Sequence, residues 1–225
     1  MDGIGGRAAQ RRRRRRRGRR GRGRGLRPVA ARVPRDDGEP EGEVLRADEQ
    51  LVVQLVPMRR RHLRAVLRIE AQVYPRPWSL SLFMSELALR ATRAYYVARV
   101  RGGVVGYCGL MLSGDDGHVT TIAVDPVWHR HGVGTRLLLN IARVAANKGA
   151  RNLTLEVRVS NKPAQALYYR FGFHPAGIRK NYYVETNEDA LVMWAKDIDT
   201  DAYERRLAGI ESTLSGSTIF DEPRS

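Results

Sequence analysis

From residue 51 onward the apolar positions change period in a regular order, and each change marks an element. Residues 51–56 form a β-branched, apolar run ended by Pro57, which reads as a first strand. Residues 60–73 place Leu63, Val66, Leu67 and Glu70 at helical spacing with Ile69 alongside. Residues 74–78 hold two prolines and must be a loop, after which Ser79 is placed to cap a second helix reaching about Leu89. Residues 95–100, 103–112 and 118–124 then read as three consecutive strands, with Gly102-Gly103 as the turn between the first two.

Beyond them, residues 135–146 carry Leu137, Leu138, Ile141 and Val144 on one helical stripe, and Gly149 is a natural stop. Residues 153–159 alternate as a strand with Leu153, Leu155, Val157 and Val159 on one face and Glu156 and Arg158 on the other. A short helix over 164–170 closes at Gly172, residues 173–184 and 190–196 supply a last hairpin, and 199–214 reads as a peripheral amphipathic helix. The order β-α-α-β-β-β-α-β-α-β-β predicts a single α/β domain, one mixed, mostly antiparallel sheet with helices on both faces. It is expected to occupy residues 51–198, after an arm and linker over 1–50 and before a tail over 199–225.

Charge changes this picture only at the N-terminus. The net charge is +16, but residues 1–35 contain fifteen Arg and one acidic residue, and the remainder of the chain has 25 basic and 23 acidic side chains. The basicity therefore belongs to an Arg/Gly arm with little to bury, which is expected to be disordered. Two readings of the arm stand side by side: contact with RNA or ribosomes through phosphates, or a segment without a specific role, such as translation from a start codon placed too far upstream. No run of 18 apolar residues occurs, and the arm lacks the apolar core of a secretory signal. A lone cysteine, Cys108, suits a reducing cytoplasm and reads as core; no Cys/His set has zinc spacing, so no metal is expected.

Candidate chemistry concentrates in residues 121–137, T-I-A-V-D-P-V-W-H-R-H-G-V-G-T-R-L. An apolar strand runs into a turn and a helix start with no acidic side chain after Asp125. Gly132 and Gly134 remove two side chains where backbone N–H groups must approach an anion, and the following helix offers unpaired first-turn donors and the positive end of its dipole. A polyphosphate fits such a cradle; an ordinary loop-to-helix turn fits it equally well. No Lys follows Gly134, which excludes a P-loop, and Leu137 stands where a dinucleotide fingerprint needs its third glycine.

The element order and residues 118–173 resemble the GCN5-related N-acetyltransferase family. The cradle is similar to that family's Arg/Gln-x-x-Gly-x-Gly/Ala loop, and Asn161, Ala164, Leu167, Tyr168, Gly172 and Phe173 fit its N-x-x-A-x-x-L-Y-x-x-x-G-F pattern at every position. Within the family, Ile69-Glu70, Pro77-Trp78-Ser79, the run T-I-A-V-D-P, Leu155-Glu156-Val157-Arg158, Asn181-Tyr182-Tyr183 and Glu188-Asp189-Ala190 make the chain most similar to RimI-type alanine N-acetyltransferases. Those enzymes modify the N-terminus of a ribosomal protein.

The resemblance implies acetyl-CoA as cosubstrate. Its pantetheine arm would pair with the backbone of Ile122, Ala123 and Val124, and its pyrophosphate would lie on His129, Arg130, His131, Gly132, Val133, Gly134 and Thr135. Asn161 and Tyr168 would contact the coenzyme further on. One departure is His129, where the family usually has Arg or Gln; Arg130 or Arg136 is then the source of the charge. The resemblance also makes Glu156 the general base and Tyr168 the general acid, with Tyr169 as internal competitor. It assigns acceptor recognition to Glu70, Trp78, Asn181, Tyr182 and Tyr183. The expected activity is acetyl transfer to the N-terminal amine of a protein, an alanine by this resemblance, directly within a ternary complex in the cytoplasm. A small-amine acetyltransferase, and an RNA- or ribosome-binding module with a vestigial enzyme domain, are the competing readings.

Overall fold

A computed structural model describes residues 50–220. The Arg-rich arm and nearly all of the linker expected before residue 51 lie outside these residues, as does the end of the tail.

The first strand is β1 (Val52–Pro57); a 3-10 turn over Arg60–His62 leads into α1 (Leu63–Val73). Ser79 accepts a hydrogen bond from the Leu82 N–H at 3.2 Å and so starts α2 (Leu80–Ala88) where a cap was expected. The strands β2 (Arg93–Val100), β3 (Gly103–Ser113) and β4 (Asp116–Val124) follow as a meander. Their first turn is shifted by one residue from the expected Gly102-Gly103. Val100 pairs with Gly103, and Arg101 and Gly102 adopt φ of +49° and +84°, the two positive angles that a two-residue hairpin loop demands.

Next come α3 (Val133–Asn147), β5 (Asn152–Arg158), α4 (Lys162–Arg170), β6 (His174–Tyr183) and β7 (Glu188–Lys196). β5 ends one residue earlier than its alternation suggests. Val159 lies past the strand, partly exposed, with its carbonyl taken by the Gln165 side chain at 3.0 Å.

The C-terminal residues carry more structure than a peripheral helix. Thr200 caps α5 (Asp201–Glu211), which buries Tyr203, Leu207 and Ile210 in the main core rather than lying outside it. The chain then adds β8 (Ser217–Phe220), which runs parallel to β1 and extends the sheet. Sequence pattern hides β8 because only four residues, split between hydroxyl and apolar side chains, form it.

All eight strands make one sheet in the order β6-β7-β5-β4-β3-β2-β1-β8. Neighbours are antiparallel except β4–β5 and β1–β8. One core packs α3, α4 and α5 on one face through Leu137, Leu138, Ile141, Tyr168 and Leu207. The other packs α1 and α2 through Leu63, Val66, Ile69 and Phe83. Cys108 is fully buried, and burial pushes its thiol well above the usual range, as suits a core residue. Among the described residues no helix is long and apolar enough to cross a membrane.

Two features of β4 position the site. Its pairing with β5 stops after Asp116, Gly117 and His118 meet Asn152, Leu153 and Thr154. Beyond that point the two parallel strands separate, and the edge of β4 from Val119 to Val124 lacks a neighbour on that side. The second feature is a bulge: Gly109 pairs with Thr121 while Leu110 pairs with Val119, leaving Thr120 as an extra residue.

Candidate active site

The cradle is built at the end of β4. Asp125 accepts from the Val127 N–H at 3.1 Å, fixing the turn through Pro126, and Gly132 enters α3 with φ of +74°, an angle that favours glycine. The first intrahelical bond of α3 runs from the Arg136 N–H to the Gly132 carbonyl at 3.1 Å. The N–H groups of Val133, Gly134 and Thr135 are therefore the helix's free first-turn donors, with no acidic side chain among them. A Cβ on Gly134 would meet Val124 and Leu167 only at ordinary contact distances of 3.6 and 3.8 Å, so protein packing does not explain that glycine.

The charged residues around the cradle behave differently from one another. His129 folds its ring back, Nε2 donating to the Val124 carbonyl at 3.0 Å, and His131 Nδ1 sits 2.8 Å from the His129 carbonyl. Both imidazoles thus organise the loop, and neither replaces the Arg or Gln of the related motif. Arg136 does not supply the charge by contact either: it is 1% exposed and its guanidinium turns away to Thr218 Oγ1 and the carbonyls of His131 and Ser215. Arg130, exposed and with φ of +67°, is left as the cation able to touch an anion here.

Glu156 lies two residues past the last β4–β5 pair, at the mouth of the gap. Its side chain is 7% exposed and has two partners: His118 Nε2 is 3.2 Å from Oε2, and Arg179 Nη1 is 3.1 Å from Oε1. Burial lowers the imidazole below its ordinary value, outweighing the pull of Glu156, and Arg179 lowers it further. The imidazole is therefore held towards its neutral form beside the carboxylate. Arg158, a possible partner on the same strand face, instead reaches Glu185 at 2.7 Å, Glu188 at 3.1 Å and Thr186, with its guanidinium 3.9 Å from the centre of the Tyr183 ring. It holds the turn between β6 and β7.

Tyr168 points into the protein and is 6% exposed, whereas Tyr169 is 45% exposed, which separates the two competitors on α4. The ring of Tyr168 packs against Phe173 at 5.8 Å. Burial pushes its phenol well above the usual range, with Tyr74 and Tyr183 near enough to add to the effect. Asn161 caps α4, its Oδ1 accepting from the Ala164 N–H at 3.2 Å; only its amide nitrogen is left for a coenzyme.

Ile122, Ala123 and Val124 form the open edge of β4. Two of their carbonyls have side-chain partners that sequence spacing does not disclose: His129 on Val124 O, and the Tyr74 hydroxyl, which donates to Ile122 O at 2.8 Å. That phenol is pushed up to about 12, chiefly by burial. Glu70 is 1% exposed, accepting from the Trp78 N–H at 3.1 Å and from the Tyr107 hydroxyl, with its carboxyl raised by burial. It braces the α1–α2 loop from within instead of facing an acceptor. Trp78 stacks on Phe83 at 5.3 Å. On the last hairpin, Asn181 takes φ of +48° and donates its N–H to Asp189 at 2.8 Å, while Tyr182 and Tyr183 meet edge to face at 5.1 Å.

This arrangement has counterparts. The acetyltransferase (GNAT) family model matches residues 63–173. A putative [ribosomal protein bS18]-alanine N-acetyltransferase of Bacillus subtilis is 42% identical over 137 residues, 61% of this chain and 91% of that protein. The [ribosomal protein bS18]-alanine N-acetyltransferase of Escherichia coli K12 is 35% identical over 133 residues, 58% of this chain and 88% of that one. The crystal structure of the ribosomal-protein-S18-alanine N-acetyltransferase from Escherichia coli superposes with a TM-score of 0.60 at 31% identity, covering 64% of this chain and 94% of its own. The fold, the sequence and the relatives agree: the chain belongs to the acetyltransferase (GNAT) family and is an acetyl-CoA-dependent N-acetyltransferase.

Proposed function

We propose that the protein acetylates the N-terminal α-amine of another protein, an alanine-starting ribosomal protein by analogy with the relatives named for that activity. The observation that carries this reading is the charge balance beside the β4–β5 gap. Glu156 is already matched by Arg179, and Glu185 and Glu188 are matched by Arg158. A polycationic small molecule needs several unmatched carboxylates. A single α-amine entering between Trp78 and the Tyr182-Tyr183 pair needs one acceptor for one proton.

In this reading the pyrophosphate lies on the N–H groups of Val133, Gly134 and Thr135 with Arg130 beside them, and the pantetheine arm extends β4 along Ile122, Ala123 and Val124. A backbone N–H of that edge serves the thioester oxygen as charge builds on it. Glu156 takes the proton of the α-ammonium, whose ordinary pKa of about 7.7–8.0 makes this a modest step near neutral pH. The free amine nitrogen then attacks the acetyl carbon. The C–N bond forms, the C–S bond breaks, and the thiolate leaves with the electron pair of the broken bond. Tyr168, kept protonated by burial, gives its proton to that sulfur and is reprotonated by the second proton that the nitrogen, cationic after its attack, sheds as the amide forms. Transfer is direct and needs no acyl-enzyme: the buried Cys108 thiol, raised by burial, is no nucleophile.

The test is acetyl-CoA turnover on alanine-starting peptides with the sequences of ribosomal-protein N-termini. Rates should collapse when the peptide N-terminus is blocked and its lysines are left free. Equal rates on blocked and free peptides, or preferred turnover of polyamines, would overturn the proposal.

A further inference from the structure

Residues after the family match at 173 include α5 and β8, and they converge on the back of the cradle. Arg136 is the joint. Its Nε donates to Thr218 Oγ1 at 2.9 Å, one Nη to the Ser215 carbonyl at 2.5 Å and the other to the His131 carbonyl at 3.3 Å. One guanidinium therefore ties the turn before the cradle to the segment entering β8. Leu214 closes the same contact: a Cβ on Gly132 would lie 2.9 Å from its Cδ2 and 2.8 Å from Arg136 Nη1.

The same segment also holds both helices that flank the coenzyme gap. On α3, Arg143 is 2.8 Å from Glu204 and 2.8 Å from Glu211. On α4, Arg170 donates to Thr213 Oγ1 at 3.2 Å. The segment is anchored in turn, because the Ser217 N–H donates to the Leu51 carbonyl at 2.8 Å and β8 pairs with β1.

We infer that residues 211–218 are a brace for coenzyme binding and that Arg136 is its positioning residue, setting the cradle's donors for the pyrophosphate without touching it. The physical reason is preorganisation. Three free N–H groups bind an anion well only if their directions are fixed beforehand; within the loop from His129 to Gly132 the His131 ring spans left-handed Arg130 to reach the His129 carbonyl, but left-handed Gly132, where the loop enters α3, is held from outside by Arg136. A planar fork reaching three acceptors does so where a lysine cannot. This inference rests on the reading of residues 132–135 as the pyrophosphate loop.

The experiment uses the full chain with Thr218→Val, Arg136→Lys and, as a control on the loop itself, Gly134→Asp. The readouts are the Kd for CoA, the separate KM values for acetyl-CoA and an acceptor peptide, kcat and the thermal melt. Thr218→Val, which keeps the buried charge and loses one bond, should weaken CoA by about threefold to tenfold. Arg136→Lys should weaken it by about tenfold or more, with kcat and the acceptor KM within about twofold for both. A merely structural role would shift the melt and leave the coenzyme constants alone, which overturns the inference. If Arg136→Lys fails to fold, Thr218→Val decides alone. If Gly134→Asp leaves CoA binding intact, the reading of the loop falls and the inference with it; if Gly134→Asp weakens CoA while Thr218→Val does not, the brace alone falls.

Discussion

His118 and Glu156 meet across the point where β4 and β5 part, Nε2 to Oε2 at 3.2 Å, with the histidine neutral. A neutral imidazole leaves the pairing of the carboxylate to Arg179 on the other oxygen. Glu156→Gln keeps the shape and removes the proposed base, so kcat should fall by about 10²–10⁴ while the Kd for CoA stays within twofold or so. His118→Leu removes the ring held 3.2 Å from that carboxylate and should cost roughly tenfold in kcat. Steady-state kinetics on an alanine-starting peptide, paired with CoA titration, checks both.

Tyr168 and Tyr169 should separate cleanly. Tyr168→Phe deletes the proposed acid and should lower kcat by about 10²-fold or more, whereas the exposed Tyr169 tolerates the same change. The Tyr168 hydroxyl has no protein hydrogen-bond partner among the described residues, so the thermal melt of Tyr168→Phe should not fall. A loss of activity that tracks a loss of stability would contradict the assignment.

His62 makes a pH prediction independent of catalysis. It is 6% exposed, and burial together with Arg61, Arg99 and Arg59 lowers its imidazole to about 4. Below pH of about 6.5 the unfolded chain takes up a proton that the folded chain refuses, so stability falls with pH until about 4. The loss amounts to at most about 3 kcal/mol. Urea unfolding at pH 7 and pH 4.5 should show a smaller drop for His62→Gln than for the parent chain.

The C-terminal helix is part of the core, and Leu207 tests it. At 1% exposure, Leu207→Ala should cost about 2–5 kcal/mol and lower Tm by roughly 5–15 °C. A change of less than a degree or so would mean that α5 packs loosely on the sheet.

Residues 121–137 and the Asn161–Phe173 pattern were readable because they obey local rules: a glycine where φ is positive, a capping side chain, an apolar stripe at helical period. What escaped depends on side-chain direction across long separations in the chain. Spacing alone does not show that Arg136 turns towards Thr218, that His129 folds onto Val124, or that Tyr74 spends its hydroxyl on Ile122. The enclosure of Glu70 escapes spacing for a related reason. A carboxylate beside a helix's apolar stripe looks available, but Tyr107 and Trp78 enclose it. The four residues of β8 are too short a run to show a period, and become a strand only because β1 offers an edge.

The extra residue at Thr120 gives β4 two phases. Below it, Val119 packs with the α3 core; above it, Ile122 packs on that side and Ala123 on the α1 side. In an uninterrupted pleat, side chains alternate strictly, so Val119 would carry Ala123 with it and send Ile122 to the opposite face. The α1 face of the sheet would then present a bulky isoleucine in place of a methyl group. Deleting Thr120 would keep Ile122 and Ala123 on their present faces, because the step from Val119 to Ile122 then becomes the two residues of a regular pleat, whereas pairing Thr120 into the ladder would exchange them.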